Sequence, residues 1–319
     1  MTTLVFLEHH GSTIQKPSLG VLSQAAALDP DTSGVIIGSG VSGLAAEAAR
    51  YGAARVFIAD DPRLEAPLPQ TRVDVIAGLV RTHGFSNVLF GASVLAADIA
   101  GALSARLDAG LNWDLTGLAV EGGALVGKRS ALGDTVLVDV GWTAEPRLGL
   151  IRAGSFEPTE TAAAGAVEQL AVALEDFSVK AQMVEQAHEE QTGPSIEEAD
   201  ILVAGGRGVG APEAFAELEG LAAALGGAVA STRAVVDSGW YPYQTQVGQT
   251  GKTVAPKLYI ACGISGAIQH KVGMQSSQVI VSINKDPNAA IFDFSDFGVV
   301  GDLHDIVMKL TALVAERKG

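Results

Sequence analysis

The chain has a single cysteine, Cys262, so it forms no intrachain disulfide, and a reducing compartment suits it. Aromatic residues are only 5% of its 319 positions, which argues against an all-β sandwich and for Ala/Val/Leu packing. Positive charge is scarce: 21 Lys and Arg face 36 Asp and Glu, giving a net charge of −15. Such a surface repels phosphate backbones and anionic headgroups, so nucleic acid is excluded as a partner. No apolar run is long enough to cross a bilayer, which excludes direct membrane insertion. The start, MTTLVFLEHHG, lacks the basic and apolar regions of a secretion signal, so a cytoplasmic chain is expected. The six histidines show no metal-ligand spacing, and no second cysteine joins them. A catalytic serine set is also missing. In Gly263-Ile264-Ser265-Gly266 the glycines flank the serine unequally, so G-x-S-x-G is not met.

What is abundant is glycine, 38 of 319 residues, in a chain that is 48% hydrophobic and 18% charged. This composition fits a globular α/β protein with many tight turns, and the length suggests two domains. Strand-like runs fall at Thr3–Leu7, Gly34–Ile37, Arg55–Ala59, Asn87–Gly91, Asp114–Val120, Ala124–Lys128, Asp134–Val140 and Ser178–Val184. Helical patterns fall at Ser18–Ala27, Ser42–Tyr51, Pro69–Thr82, Val94–Leu107 and Glu160–Leu174. Strand and helix alternate early, which predicts a mainly parallel sheet covered on both faces. Between Leu115 and Val140 three strand-like runs follow one another without a helix, as in a hairpin or meander extension. The acid-rich stretch Glu185–Asp200, broken by Gly193-Pro194, reads as a linker and sets the domains at 1–187 and 188–319. A second α/β unit follows. Strands are expected at Ile201–Ala204, Ala228–Ala230, Leu258–Ala261 and Val279–Ile283, with helices at Pro212–Leu225 and Asp302–Ala315. Asp302 is the expected N-cap of the last helix. The predicted fold class is therefore α/β, two doubly wound domains.

Two motifs imitate nucleotide sites. Gly38-x-Gly40-x-x-Gly43, between two strands and followed by Asp60, satisfies the dinucleotide fingerprint. The alternative is a tight strand-to-helix turn, favoured because a strand precedes it and a richer constellation lies downstream. GQTGKT at Gly248–Thr253 resembles a phosphate loop, but Gln246 stands where its first glycine belongs and Pro256 follows closely.

The richer constellation joins GGRGVG at Gly205–Gly210, TRAVVD at Thr232–Asp237, QVGQTGK at Gln246–Lys252, GISGAIQH at Gly263–His270, SINKDP at Ser282–Pro287 and DFGVVGD at Asp296–Asp302. Glycines let the backbone approach a ligand, and N–H groups at loop-to-helix junctions favour a pyrophosphate. Arg207 suits such an anion through its forked guanidinium, as do Ser265 and the amides of Gly263, Gly266 and Ala267. In this order the motifs resemble the FAD-binding domain of the electron transfer flavoprotein alpha subunit. The similarity is close over roughly the last 120 residues and general before them. It implies that Arg233 lies over the isoalloxazine, that the Thr250 hydroxyl reaches N5, and that His270 reaches the C2 carbonyl. A cation or strong donor there favours the negative charge that an added electron brings. The resemblance also points to Gln269, Asn284 and Asp302 towards the adenosine and ribose, with Leu303 a further cofactor contact. Gln246, Val247, Gly248, Gln249 and Ile268 are further loop contacts. Relatives usually carry Ser before the ring arginine; Thr232 keeps the hydroxyl and adds a methyl.

Carried further, the similarity implies a redox carrier without substrate turnover of its own. Its partners would be a beta subunit holding AMP, flavin dehydrogenases such as those of acyl-CoA oxidation, and a quinone oxidoreductase. The N-terminal domain would make the subunit contact. The runner-up is a single-chain NAD(P)H–flavin oxidoreductase using Gly38–Gly43.

Overall fold

The computed structural model describes residues 1–132, 136–161, 165–185 and 195–318, and the chain divides into two compact units, Met1–His188 and Glu189–Gly319. The expected boundary at 187/188 and most of the acid-rich linker lie outside the described residues.

In the first unit the order is β1 (Thr3–Phe6), a ribbon of β2 (His9–His10) and β3 (Thr13–Ile14), α1 (Lys16–Leu28), β4 (Ser33–Gly38), α2 (Ala45–Arg50) and β5 (Arg55–Asp60). It continues with α3 (Pro69–His83), β6 (Asn87–Gly91), α4 (Val94–Leu107), β7 (Leu111–Glu121), β8 (Ala124–Ala131), β9 (Val136–Val140), β10 (Arg147–Ile151) and β11 (Ala166–Gln169). Alternating side chains send Leu4, Phe6, Val35, Ile37 and Phe57 to one face, under α3 and α4. Val5, Leu7, Ile36, Val56 and Ile58 go to the other, under α1 and α2. Burial on both faces is why these strands read as unbroken apolar runs rather than alternating ones. The sheet order is β11-β5-β4-β1-β6-β10-β7-β8-β9. It is parallel except for the meander β7-β8-β9, which pairs antiparallel.

Three expectations in this unit fail. Glu160–Leu174 is not a helix: its described residues include the edge strand β11, which pairs parallel with β5. The Ala-rich pattern there supplies helix propensity, but pairing along the open edge of β5 overrides it. Ser178–Val184 runs from a turn into irregular chain rather than forming a strand. The third is an omission, β10. Its five residues RLGLI lie between β6 and β7, where two parallel partners satisfy their backbone.

The second unit holds β12 (Ile201–Gly205), α5 (Phe215–Leu225), β13 (Ala228–Thr232), α6 (Arg233–Val236), β14 (Gln246–Val247), β15 (Leu258–Cys262), α7 (Ile268–Met274), β16 (Val279–Asn284), β17 (Phe297–Val300) and α8 (Leu303–Lys318). All six strands pair parallel in the order β14-β13-β12-β15-β16-β17. DFGVVGD is thus partly strand, since β17 takes Phe297–Val300 from what reads as a loop. Asp302 caps α8 as expected: its Oδ1 accepts the His304 backbone N–H at 2.9 Å. Among the described residues no helix is long and apolar enough to cross a membrane, and no acid, His or Cys cluster could hold a metal.

Cys262 is fully buried between β15 and the α5–α8 layer, and that burial pushes its thiol up to about 12. Folded protein should therefore resist thiol reagents at pH 8, whereas urea-unfolded protein reacts at once. Because the unfolded thiol ionises near 9, the stability it contributes is present below that pH and fades between about 9 and 12.

Candidate functional site

Strand β12 enters the second sheet first; β13 and β14 are added on one side of it, and β15, β16 and β17 on the other. The winding reverses between β12 and β15, and the loops after these two strands part at their C-terminal ends. Open α/β sheets bind ligands in that crevice. Here it opens into a cavity of about 580 Å³.

Close backbone approach shapes the cavity floor. The Gly208 amide donates to the Gly263 carbonyl at 3.0 Å. A Cβ on Gly208 would lie 2.6 Å from the Gly263 Cα, and one on Gly263 would lie 2.8 Å from Gly208 while its φ is +63°. Only glycine fits both positions, so the backbone itself faces the cavity.

Thirteen of the expected contacts line it: Arg207, Thr232, Arg233, Val247, Gly248, Gln249, Thr250, Gly263, Ser265, Ala267, Gln269, His270 and Asn284. Five do not. Ile268 is 75% exposed outside it, and Leu303 is buried in the apolar layer with α5. Gly266 packs on Ala290 and Ile291, Asp302 caps α8, and Gln246 is buried beneath the loop it supports. Gln246 Nε2 donates to Thr250 Oγ1 at 3.2 Å, which fills the acceptor side of that hydroxyl and leaves its proton to donate. Asn284 is spent on the loops: its Nδ2 donates to the Ile264 carbonyl, and its Oδ1 accepts the Asp286 amide.

The structure adds Asp237, one turn after Arg233 in α6, with its Oδ2 3.2 Å from Arg233 Nε. The i,i+4 spacing in TRAVVD signals that pair. Gly206, Gly208, Ala234 and Ile264 also line the cavity, each adjacent to an expected contact. Arg207 pairs with no acid among the described residues. Two guanidiniums against one carboxylate make a positive spot on an acidic chain.

His270 lines the cavity with its side chain largely inside the protein. It is 7% exposed, with Nδ1 3.1 Å from the Val247 carbonyl and Nε2 3.0 Å from the Tyr259 hydroxyl. Desolvation by burial, only partly offset by the bond to Val247, lowers it to about 4, so the ring is neutral at pH 7. Both ring nitrogens face protein partners.

The two decoys resolve differently. Lys252 pairs with Glu197 at 2.8 Å, away from the cavity. In the first unit, the Asp60 carboxylate accepts from the N–H groups of Gly40 at 2.7 Å and Ser42 at 3.1 Å, and from the Ser42 hydroxyl at 2.7 Å. The hydroxyl first, then the amides, hold Asp60 below the usual carboxylate range. A side-chain anion thus sits in the loop where a dinucleotide's phosphates would be held. Nothing lies within 4 Å of a Cβ at Gly43. Gly43→Val should therefore change stability by no more than about 0.5 kcal/mol and leave flavin binding as it is, checked by thermal melts and FAD titration.

A fit to FAD follows from the donor set and the bare-backbone floor: cations and N–H groups for a pyrophosphate, and hydroxyl, amide and guanidinium groups for a ring and a ribose. Residues 195–275 match the electron transfer flavoprotein FAD-binding domain, and residues 3–175 match the electron transfer flavoprotein domain. Curated relatives named electron transfer flavoprotein subunit alpha include one from Mycobacterium tuberculosis, 42% identical over 99% of both chains. Another, from Bacillus subtilis, is 40% identical over 89% of this chain and 87% of its own. Protein FixB of Clostridium saccharobutylicum is 38% identical over 98% and 96%. The chain belongs to the electron transfer flavoprotein alpha-subunit family, and its second unit carries that family's FAD-binding domain.

Proposed function

We propose that this protein is the alpha subunit of a two-subunit electron carrier that holds FAD in the crevice between β12 and β15 and turns over no substrate of its own. The observation that carries this proposal is the cavity at the winding reversal, floored by bare glycine backbone and flanked by Arg207 and Arg233. FAD, when bound, supplies one- and two-electron redox chemistry. Arg207, Ser265 and the amides of Gly263 and Ala267 would hold its pyrophosphate. Arg233 and the Thr250 hydroxyl, whose proton is left to donate, would face the ring. Gln249, Gln269 and Thr232 would orient the sugar-phosphate chain. The proposed partner is a beta subunit that closes the site and holds AMP; the relatives' designation as a subunit alpha supports a second subunit. Flavin dehydrogenases such as those of acyl-CoA oxidation would donate electrons, and a quinone oxidoreductase would receive them. A reducing cytoplasm is the proposed location, which the single buried thiol suits.

The runner-up, a single-chain NAD(P)H–flavin oxidoreductase, requires nicotinamide dinucleotide in the Gly38–Gly43 loop that Asp60 occupies. Titrating FAD into flavin-free protein, co-expressed with a beta subunit, separates the two. Arg207→Ala should weaken binding by about tenfold, the lower end for a charge-assisted contact at an exposed site. Unchanged affinity, together with rapid bleaching of the flavin by NADH alone, would overturn the carrier function.

A further inference from the structure

The loop after β14 carries Thr250 at its tip, and its backbone ties everything but that tip. The Lys252 amide donates to the Gln246 carbonyl at 2.7 Å, and the Gly248 amide to the Lys252 carbonyl at 3.1 Å. The Gly251 amide reaches the Gly248 carbonyl at 3.0 Å, and the Gln249 amide reaches the Gln269 carbonyl at 2.8 Å. The Thr250 carbonyl takes part in none of these. It accepts instead from the Tyr243 hydroxyl at 3.2 Å.

Tyr243 is 67% exposed and does not line the cavity. Its place is set by a short 3-10 turn, Tyr243–Thr245, entered from Pro242 with φ at −63°. A buried hydroxyl pins this turn to β13. Thr245 Oγ1 donates to the Pro242 carbonyl at 2.7 Å, which spends its one proton. Ser231, fully buried on β13, is therefore the donor in the 2.8 Å contact between Ser231 Oγ and Thr245 Oγ1. The tyrosine thus reaches Thr250 from a fixed base on the solvent side.

We propose that Tyr243 is a positioning residue for the flavin site: its hydroxyl clasps the Thr250 carbonyl and so holds the Thr250 hydroxyl towards the cavity. Carbonyl and hydroxyl belong to one residue. Fixing the first leaves the second only its χ1 rotation, and the bond from Gln246 Nε2 sets that rotation. Gly248 and Gly251 flank the tip and would otherwise let its backbone swing. The clasp stands on the geometry alone, while its effect on flavin rests on the function proposed above.

The test has two parts. First, amide hydrogen exchange of Gly251 and Lys252 is followed in the flavin-free full chain at pH 7. Tyr243→Phe removes one oxygen from an exposed ring, so the fold stays intact. It should speed exchange at both amides about fivefold, the effect of one lost hydrogen bond. Unchanged exchange overturns the clasp.

Second, the one-electron potential of bound FAD is compared in Tyr243→Phe, Thr250→Val and the double variant. Tyr243→Phe should lower the potential when Thr250 is present, by less than Thr250→Val does. It should add nothing once Thr250 is replaced. Equal shifts in both backgrounds, or no shift beside Thr250, would make Tyr243 merely structural and overturn its positioning role. If FAD lay elsewhere, Thr250→Val would itself leave the potential unmoved while the exchange effect persisted, so failure of the function and failure of this proposal read differently.

Discussion

Replacing Arg233 with alanine should keep the fold and lower the one-electron potential of bound FAD by about 65 mV. The guanidinium stands 66% exposed at the cavity wall, so its removal takes away no core packing. A charge-assisted hydrogen bond contributes ~1.5–3 kcal/mol, which for one electron corresponds to about 65–130 mV. Solvent screening and the partly neutralising Asp237 carboxylate, 3.2 Å away, favour the lower end. Asp237→Asn should move the potential the opposite way, because it frees Arg233 from its counter-charge. Spectroelectrochemical titration of both variants beside the unmodified protein measures these shifts. A potential unmoved by Arg233→Ala would remove this arginine from the flavin's surroundings.

Acidification should destabilise the second unit through His270. The unfolded histidine titrates near 6.5 and the folded one near about 4, so this contribution is present above 6.5. As pH falls below 6.5 the unfolded chain gains a proton that the folded site rejects. By about pH 4 the loss reaches roughly 3 kcal/mol, a large share of a domain's net stability. Urea denaturation at pH 7 and pH 4.5 should show the loss, and His270→Gln should abolish most of it. Equal pH dependence in that variant would show that desolvation of this ring is not its source.

These two predictions differ in how far they were legible in the residues. Arg233 was legible through the family resemblance of the motifs around it. The neutrality of His270 was not, because the burial that desolvates its ring is made by residues distant in the chain, Val247 and Tyr259 among them. The strands β1, β4, β5 and β6 were legible for a different reason. Each is a complete apolar run, since both faces are covered, and each is bounded by turn residues. β10 and β11 were not, since RLGLI is broken by a central glycine and AVEQ is half polar, so neither reads as an unbroken apolar run.

The same contrast holds for the two glycine motifs. Spacing alone made Gly38–Gly43 as good a nucleotide loop as Gly263–Ala267. What separates them is that the chain folds Asp60 back into the first, whereas the second lies open at the winding reversal with Arg207 alongside.

Local pattern was enough for the fold class and the two α/β units, and the family resemblance for thirteen groups that wall one cavity. Those properties depend on local pattern and residue type, which a chain carries in its order. Tertiary structure decided which of those groups keep a free donor, which carry charge and which are spent holding loops together. Hydrogen-bond partners and desolvation come from residues distant in the chain, and only the folded unit brings Tyr259, Val247 and His270 within bonding distance.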